Sequence, residues 1–269
     1  MKKTTLAIVA SGILLFTGCE TLEKLCGFDV DDLGFTEDYT QQLNAAIYIY
    51  QQTDRAMRDS TLKAQNTAVI DGADVTLTPD SVIIDYGNGS IGADGKIRTG
   101  SIRIGYQGDY LIPGSEASLK LLNYEESDLR YEANLHVSNT TSGSGTPHYD
   151  VDLISFKLDS LELIGNLNVE WQAGFETQAM FDDDFQLAGA ATLTNINSND
   201  NFVGTILMPL LISTGCDFSF VSGEFELIPS NPALPASAKV NFIDGDCANL
   251  FEATIDCEGS PLKFTLPIQ

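Results

Sequence analysis

Cysteines, clustered aspartates and a glycine-rich turn are the features of this chain whose residue types and spacing invite chemistry. Cysteine stands at Cys19, Cys26, Cys216, Cys247 and Cys257. No Cys-x-x-Cys pair occurs, and His136 and His148 lie apart from the cysteines, so the ligand spacing of a structural zinc site is missing. Asp182-Asp183-Asp184, Asp29 with Asp31-Asp32, and Asp244 with Asp246 are candidates to hold calcium through loop carboxylates, although the ordinary role of an acidic loop is solvation. Asn195, Asn197 and Asn199 alternate like the opening of an EF-hand loop. Asp200 then replaces the required glycine and Ile206 the bidentate glutamate, which excludes that motif. Gly87-Asn88-Gly89-Ser90-Ile91-Gly92 has dinucleotide-binding spacing behind the apolar residues Val82 to Ile84. That chemistry needs a helix N-terminus next, whereas Ala93-Asp94-Gly95 leads into another alternating stretch, so a glycine-rich hairpin loop is expected. There is no nucleophile elbow, and neither histidine has triad or metal-ligand spacing. Glu170 with Glu176 and Glu224 with Glu226 share wet faces, as chance pairs must among 38 acidic residues. No catalytic residue is assigned.

The beginning of the chain carries a different chemistry. Lys2 and Lys3 precede an apolar run from Leu6 to Phe16, and Thr17-Gly18 leads to Cys19. The run is well short of the ~20 apolar residues that span a bilayer, so it reads as an export signal rather than an anchor helix. Ending at Cys19, it resembles a bacterial lipoprotein signal, with Phe16 where leucine is usual. That resemblance implies diacylation of the Cys19 sulfur, cleavage after Gly18, and a mature chain held to a membrane by lipid. Removing Lys2 and Lys3 leaves 12 basic against 38 acidic side chains, a net charge of −26. Such a surface repels phosphate backbones and anionic lipid, which excludes nucleic acid as a partner and leaves membrane attachment to the acyl chains. With Cys19 acylated, four cysteines remain in an oxidising compartment, and three pairings of them are open.

The elements that position these residues follow from periodicity. Tyr39, Leu43, Ala46, Ile47, Tyr50 and Met57 recur at three- and four-residue steps, which predicts an amphipathic helix over 36–60 with Thr36 as N-cap, packed by one stripe on a sheet. Beyond it the period changes to two. Ile102, Ile104 and Tyr106, then Tyr131 to Val137, then Leu167 to Phe175, and finally Ala238, Val240 and Phe242 alternate with polar residues. Trp171 falls on the apolar side of its strand and reads as core, and His136 falls on the wet side. Phe251 to Cys257 and Leu262 to Ile268 face each other across Glu258-Gly259-Ser260 as a hairpin. One buried and one wet face per strand means antiparallel pairing. Phase slips at Leu153-Ile154 and around Val221 to Gly223 mark bulges. The fold class expected is mainly β: an antiparallel meander forming a sandwich or partly closed barrel, with one N-terminal helix. The predicted order is signal (1–18), lipidated tether (19–35), helix (36–60) and β domain (61–269). The stretch 140–147, with His148 after its proline, is either a domain boundary or a long hairpin loop.

The stretch from Val82 to Ser127 carries Asp85-Tyr86-Gly87-Asn88-Gly89, Asp94-Gly95, Gly100 to Ile104, Tyr106 to Tyr110 and Pro113-Gly114. With the ending from Cys216 to Leu266, it resembles a group of uncharacterised Bacteroidota envelope lipoproteins. The resemblance implies an envelope β protein on the outer membrane or cell surface, with Cys216 paired to Cys247, and it transfers no activity. The sequence departs from the pattern at Cys257, where a polar hairpin residue is usual. The expectation is that Cys257 pairs with Cys26 and fastens the tether to the last hairpin. Asp59-Ser60-Thr61, Asp80-Ser81-Val82 and Asp159-Ser160-Leu161 resemble O-glycosylation sites of that phylum. The functional expectation is a lipid-anchored envelope protein that binds or scaffolds an envelope protein or glycan without catalysis. No cofactor is assigned beyond the covalent lipid on Cys19; the acidic runs leave calcium open without supporting it. Two alternatives stand beside it: a carrier of lipid or another hydrophobic ligand with the helix as lid, and a glycan-active enzyme.

Overall fold

The computed structural model describes residues 33–268 except 144, 178, 180, 217, 218, 232–236, 243–246, 248, 249, 258 and 259. Cys19, Cys26, Asp29, Asp31, Asp32, Asp244 and Asp246 lie outside the described residues. Two helices, α1 (Gly34–Arg58) and α2 (Ser60–Gln65), open the fold. The strands follow as β1 (Thr67–Ile70), β2 (Ala73–Leu77), β3 (Ser81–Ile91), β4 (Ile97–Gln107), β5 (Glu116–Glu126), β6 (Leu129–Asn139) and β7 (His148–Leu158). The second half continues with β8 (Leu161–Ala173), β9 (Asp184–Asn195), β10 (Asp200–Ser213), β11 (Ser219–Pro229), β12 (Ala238–Phe242), β13 (Leu250–Cys257) and β14 (Ser260–Pro267). They form one 14-stranded antiparallel sheet in strict chain order, with β1 and β14 as its edges. The expected mainly-β meander is thus observed, open rather than closed. Residues 140–147 are a hairpin loop, because β6 and β7 pair directly from Asn139↔Tyr149 to Tyr131↔Leu158. His148 is the first residue of β7 and not part of that loop.

Alternation decides which way each strand faces. In β6, Tyr131, Ala133, Leu135 and Val137 are buried, while Arg130, Glu132 and Asn134 are exposed. Apolar-in and polar-out is the reverse of the pattern of a lipid-spanning barrel. No described helix is long and apolar enough to cross a membrane.

Curvature comes from bulges. Every neighbouring pair from β3 to β11 contains a register shift. The end pairs, β1 to β3 and β11 to β14, show none. Both phase slips read from the sequence are among these shifts, between Leu153 and Phe156 and at the β10–β11 pairs flanking Gly223. A bulge adds a residue to one strand and bends it, so a band of them curls the middle of the sheet. Gly100 shows the requirement: at φ +72° a Cβ there would overlap the backbone of Asn123, itself bulged at φ +49°. The Gly87 to Gly92 motif takes part in this band. Gly87 to Ile91 lie within β3 and only Gly92 enters the turn, so the expected hairpin loop begins later than its glycines.

The curled sheet encloses α1, which corrects the expectation of a helix laid on a sheet by one stripe. The stripe is buried as expected, with Tyr39, Leu43 and Tyr50 fully covered. Gln42, Gln51, Gln52, Thr53 and Asp54, on the other sides, are also buried. Phe35 stacks on Phe202 of β10 at 4.4 Å, and Tyr39 meets Phe225 of β11 at 5.0 Å. The Tyr39 ring also lies where a Cβ on Gly204 would be. Farther along, Tyr50 packs on Tyr149 of β7 and Phe185 of β9. Each large apolar side chain so buried contributes about 1.5–3 kcal/mol. Buried threonines are satisfied within the helix: Thr40 Oγ1 donates to the Thr36 carbonyl and Thr53 Oγ1 to that of Ile49. Thr36 is not the N-cap. It lies in the first turn and donates to the Leu33 carbonyl, because the helix begins two residues earlier than its charge pattern suggests.

Candidate binding cleft at the end of the central helix

Two charged clusters are buried against α1. The first is built around Arg98 of β4, which has no exposed surface. The β3–β4 turn carries Asp94, whose carboxylate accepts from Arg98 Nη1 and Nη2 at 2.8 and 2.6 Å. Glu126 of β5 accepts from Arg98 Nε at 2.9 Å and from Lys96 Nζ at 2.8 Å. The guanidinium lies 3.8 Å from the ring centre of Tyr48 on α1. Tyr48 and Gln52 in turn donate to Asp71 Oδ2, and the amide of Ala93 donates to Asp71 Oδ1. Burial pushes the Asp94 carboxyl up, but Arg98 and Lys96 outweigh it and hold the group below the usual carboxylate range. This cluster ties the helix to the β1–β2 and β3–β4 turns and to β5.

The second cluster lies at the C-terminal end of α1. Asp59 leaves helical geometry and caps α2 by accepting from the Leu62 amide at 2.6 Å, so α1 stops at Arg58. Arg58 Nη1 donates to Asp54 Oδ2 at 3.2 Å, and Nη2 donates to the Phe175 and Thr177 carbonyls. Its guanidinium stands 4.4 Å from the ring centre of Trp171 and 4.5 Å from that of Phe175. Behind it, the Asp54 carboxyl, the Tyr50 and Tyr110 hydroxyls and the Trp171 indole nitrogen gather as one buried polar group whose members act on one another's titration. Burial raises the Asp54 carboxyl, with Arg58 opposing.

Beside Arg58 opens a cleft of about 160 Å³ lined by Arg55, Arg58, Asp59, Val69, Ile70, Asp71, Thr177, Ala179 and Asp183. Two neighbouring segments, the helix end and the β1–β2 corner, meet the distant β8–β9 connector there. Asp183 is 4% exposed, and burial pushes its carboxyl up to about 7 against the pull of Arg55 and Arg58, with Asp54 and Asp182 adding to the rise. On the other flank of the helix end, a hollow of about 210 Å³ is mostly apolar, lined by Met57, Leu62, Leu77, Val82, Tyr106 and Tyr110 among others.

The aspartate run at 182–184 divides between these environments. Asp183 points inward, Asp182 accepts from Thr177 Oγ1 in the exposed connector, and Asp184 enters β9 opposite Ala173 and Ser213. Among the described residues no three His, Cys, Asp or Glu side chains group as a metal site. Cys216 and Cys247 form the expected disulfide, with Cα atoms 4.9 Å apart. The pairing of Cys26 with Cys257 falls outside the described residues on the Cys26 side; the Cys257 backbone pairs with Ser260 across the last hairpin. Trp171 is core, at 1% exposure. His136 lies 3.9 Å from Glu116, and His148 lies 3.6 Å from Glu170, while Glu176 sits apart in the connector. Glu224 and Glu226 oppose Asn241 and Lys239 on β12. Asn195 to Asn199 form the β9–β10 turn. Of the three Asp-Ser sites, Ser81 is buried with its hydroxyl bonded to Thr78, and Ser60 is exposed.

Arg55, Arg58, Arg98 and Asp54 went unassigned by sequence. A signal for them exists: from Thr40 to Thr53 the helix carries no charge, which a surface helix would have, so the charges that follow at Asp54, Arg55 and Arg58 mark where the enclosure opens. Compared with family models, with curated proteins and with solved structures, the chain matches none.

Proposed function

We propose that this chain is a lipid-anchored envelope protein whose β body is a non-catalytic binding module. The observation that carries the reading is the enclosed helix. The concave side of the sheet is occupied by Tyr39, Leu43, Ala46 and Tyr50 and their partners, so recognition falls to the outer surface and to the clefts at the helix end. The same filling weighs against a carrier, whose ligand needs the volume that the helix takes. The lipid rests on Lys2-Lys3, the apolar run and Cys19.

The test has two arms. Palmitate labelling of wild type and of Cys19→Ala in a bacterial host is expected to mark only the wild type, with the variant released from the membrane fraction. A delipidated sample titrated with a fluorescent fatty acid is expected to give no saturable signal. An unlabelled wild-type chain removes the anchor, and one-to-one saturation with the fatty acid replaces the module with the carrier.

A further inference from the structure

The outward face of the sheet changes character at β9 and β10. From Phe185 to Cys216 the chain carries a single charged residue, Asp200, although 19% of all its residues are charged. The outward positions there are Ala190, Thr192 and Thr194 on β9 and Val203 and Thr205 on β10. Register lines up apolar side chains across this face. Ile164 of β8 lies opposite Thr192, Thr192 opposite Val203, and Val203 opposite Ile228 of β11. Ile154 extends the row onto β7, in the bulge that faces Ile164. These four aliphatic side chains are between 39% and 58% exposed. Beyond Thr205, β10 sets residues 206–209 against only Ala188 and Gly189 of β9, and the excess leaves Leu207, Met208 and Pro209 exposed.

A contiguous apolar row on the surface of an acidic chain marks a contact face. Its position and its charge choose the occupant. The helix starts behind the row: Phe35 of α1 stacks on Phe202, the inward neighbour of Val203. From Cys19 to Leu33 the chain spans at most about 50 Å even when fully extended, so a lipid on Cys19 keeps this side of the body near a bilayer. A second copy would instead bring two strongly acidic bodies together against their mutual repulsion. A bilayer of neutral headgroups adds no charge and receives aliphatic side chains at its boundary. The next outward positions hold Asp152, Glu162 and Glu226, an acidic rim that anionic headgroups would repel.

We propose that this row is the face with which the body rests on a lipid surface of neutral headgroups, with Ile154, Ile164, Val203 and Ile228 at the headgroup boundary and Leu207 and Met208 beside them. The inference deepens the reading of the chain as lipid-anchored and rests on it for the choice of occupant. The lipid holds the chain at the surface, and the row sets which way the body faces.

The experiment is tryptophan quenching in the full mature chain, carrying its lipid, in phosphatidylcholine vesicles with ordinary or brominated acyl chains. Trp171 is the chain's one tryptophan and is buried, so it supplies a constant background. Val203→Trp and Met208→Trp report from the row, and Lys120→Trp from the exposed face of β5 is the control. The two row reporters are expected to lose about half of their added emission to bromine while the control keeps its own, and phosphatidylglycerol in the vesicles is expected to weaken the quenching. Met208 lies in the exposed bulge, so its variant reads the row even if Val203→Trp alters folding. Quenching absent from both row reporters overturns the proposal, as does equal quenching of the control. Blue-shifted row emission that ignores bromine also overturns it, because a second copy or residues 20–32 then cover the row. A palmitate-labelled chain without quenching loses this face and keeps its anchor. An unlabelled chain whose row is quenched by added vesicles loses the anchor and keeps the face.

Discussion

Arg98 and Arg58 each lie against an aromatic ring on the flank of the same helix, yet their surroundings differ in completeness. Arg98 has two carboxylates, a ring face and no water-facing surface, and Asp71 beside it accepts from three donors. Arg58 has one carboxylate and two carbonyls, is partly open, and stands before the buried group of Asp54, Tyr50, Tyr110 and Trp171. Arg98 is the more completely held of the two, although Gln52 Oε1 beside its cluster finds no partner. The first cluster reads as a fastener between helix, turns and β5. The second reads as the back wall of a site.

Breaking the fastener is expected to give the largest effect. Arg98→Met leaves Asp94 and Glu126 buried with only the half-exposed Lys96 to offset them, which costs about 3–5 kcal/mol; urea denaturation of wild type and variant measures it. The matching change in the second cluster, Arg58→Met, is expected to cost about 2 kcal/mol, because burial already raises the Asp54 carboxyl and so eases its protonation once the cation is gone. Equal losses in the two variants would erase the distinction between the clusters.

The two clusters also differ in the sign of their pH dependence. Asp183, at about 7 in the fold against 3.8 for the free side chain, holds its proton more tightly when folded, so it lowers stability as pH rises from about 4 to 7. Asp94, held below 3.8, stabilises above that value and ceases to do so as pH falls through its folded pKa. Melting curves of Asp183→Asn are therefore expected to run above wild type at pH 8 and to coincide with it at pH 4. A variant less stable at pH 8 contradicts the assignment. The smallest effect is expected from Lys96→Gln: Lys96 is 40% exposed and Glu126 keeps Arg98, so the loss stays below about 1 kcal/mol by thermal melting.

Much of the fold is written in local pattern. Period-two alternation located the strands, and the slips at Leu153-Ile154 and Gly223 located bulges. The hairpin between β13 and β14 was legible from its turn residues. The enclosure of α1 was not, since the stripe Tyr39–Met57 is the same whether a helix lies on a sheet or inside one. Only the uncharged stretch from Thr40 to Thr53 separates the two cases. The cleft was hidden for a related reason. Asp183 meets Arg58 and Val69 only because the sheet between them curls, and no spacing along the chain encodes that meeting. Asp183 drew notice as one of three aspartates, although its significance is that it turns away from the other two.

The enclosed helix also has a consequence for the order in which the molecule can be made. It is the first element of the described body, yet its surroundings extend through Tyr86, Tyr149, Phe185, Phe202 and Phe225 to β11. Each hairpin can form with its neighbour as it emerges, so strand pairing is local and quick. Burial of the helix cannot finish until most of the sheet has arrived. Its aromatic side chains therefore wait uncovered longer than any strand does, and the chain acquires native protection of its first element among its last folding events.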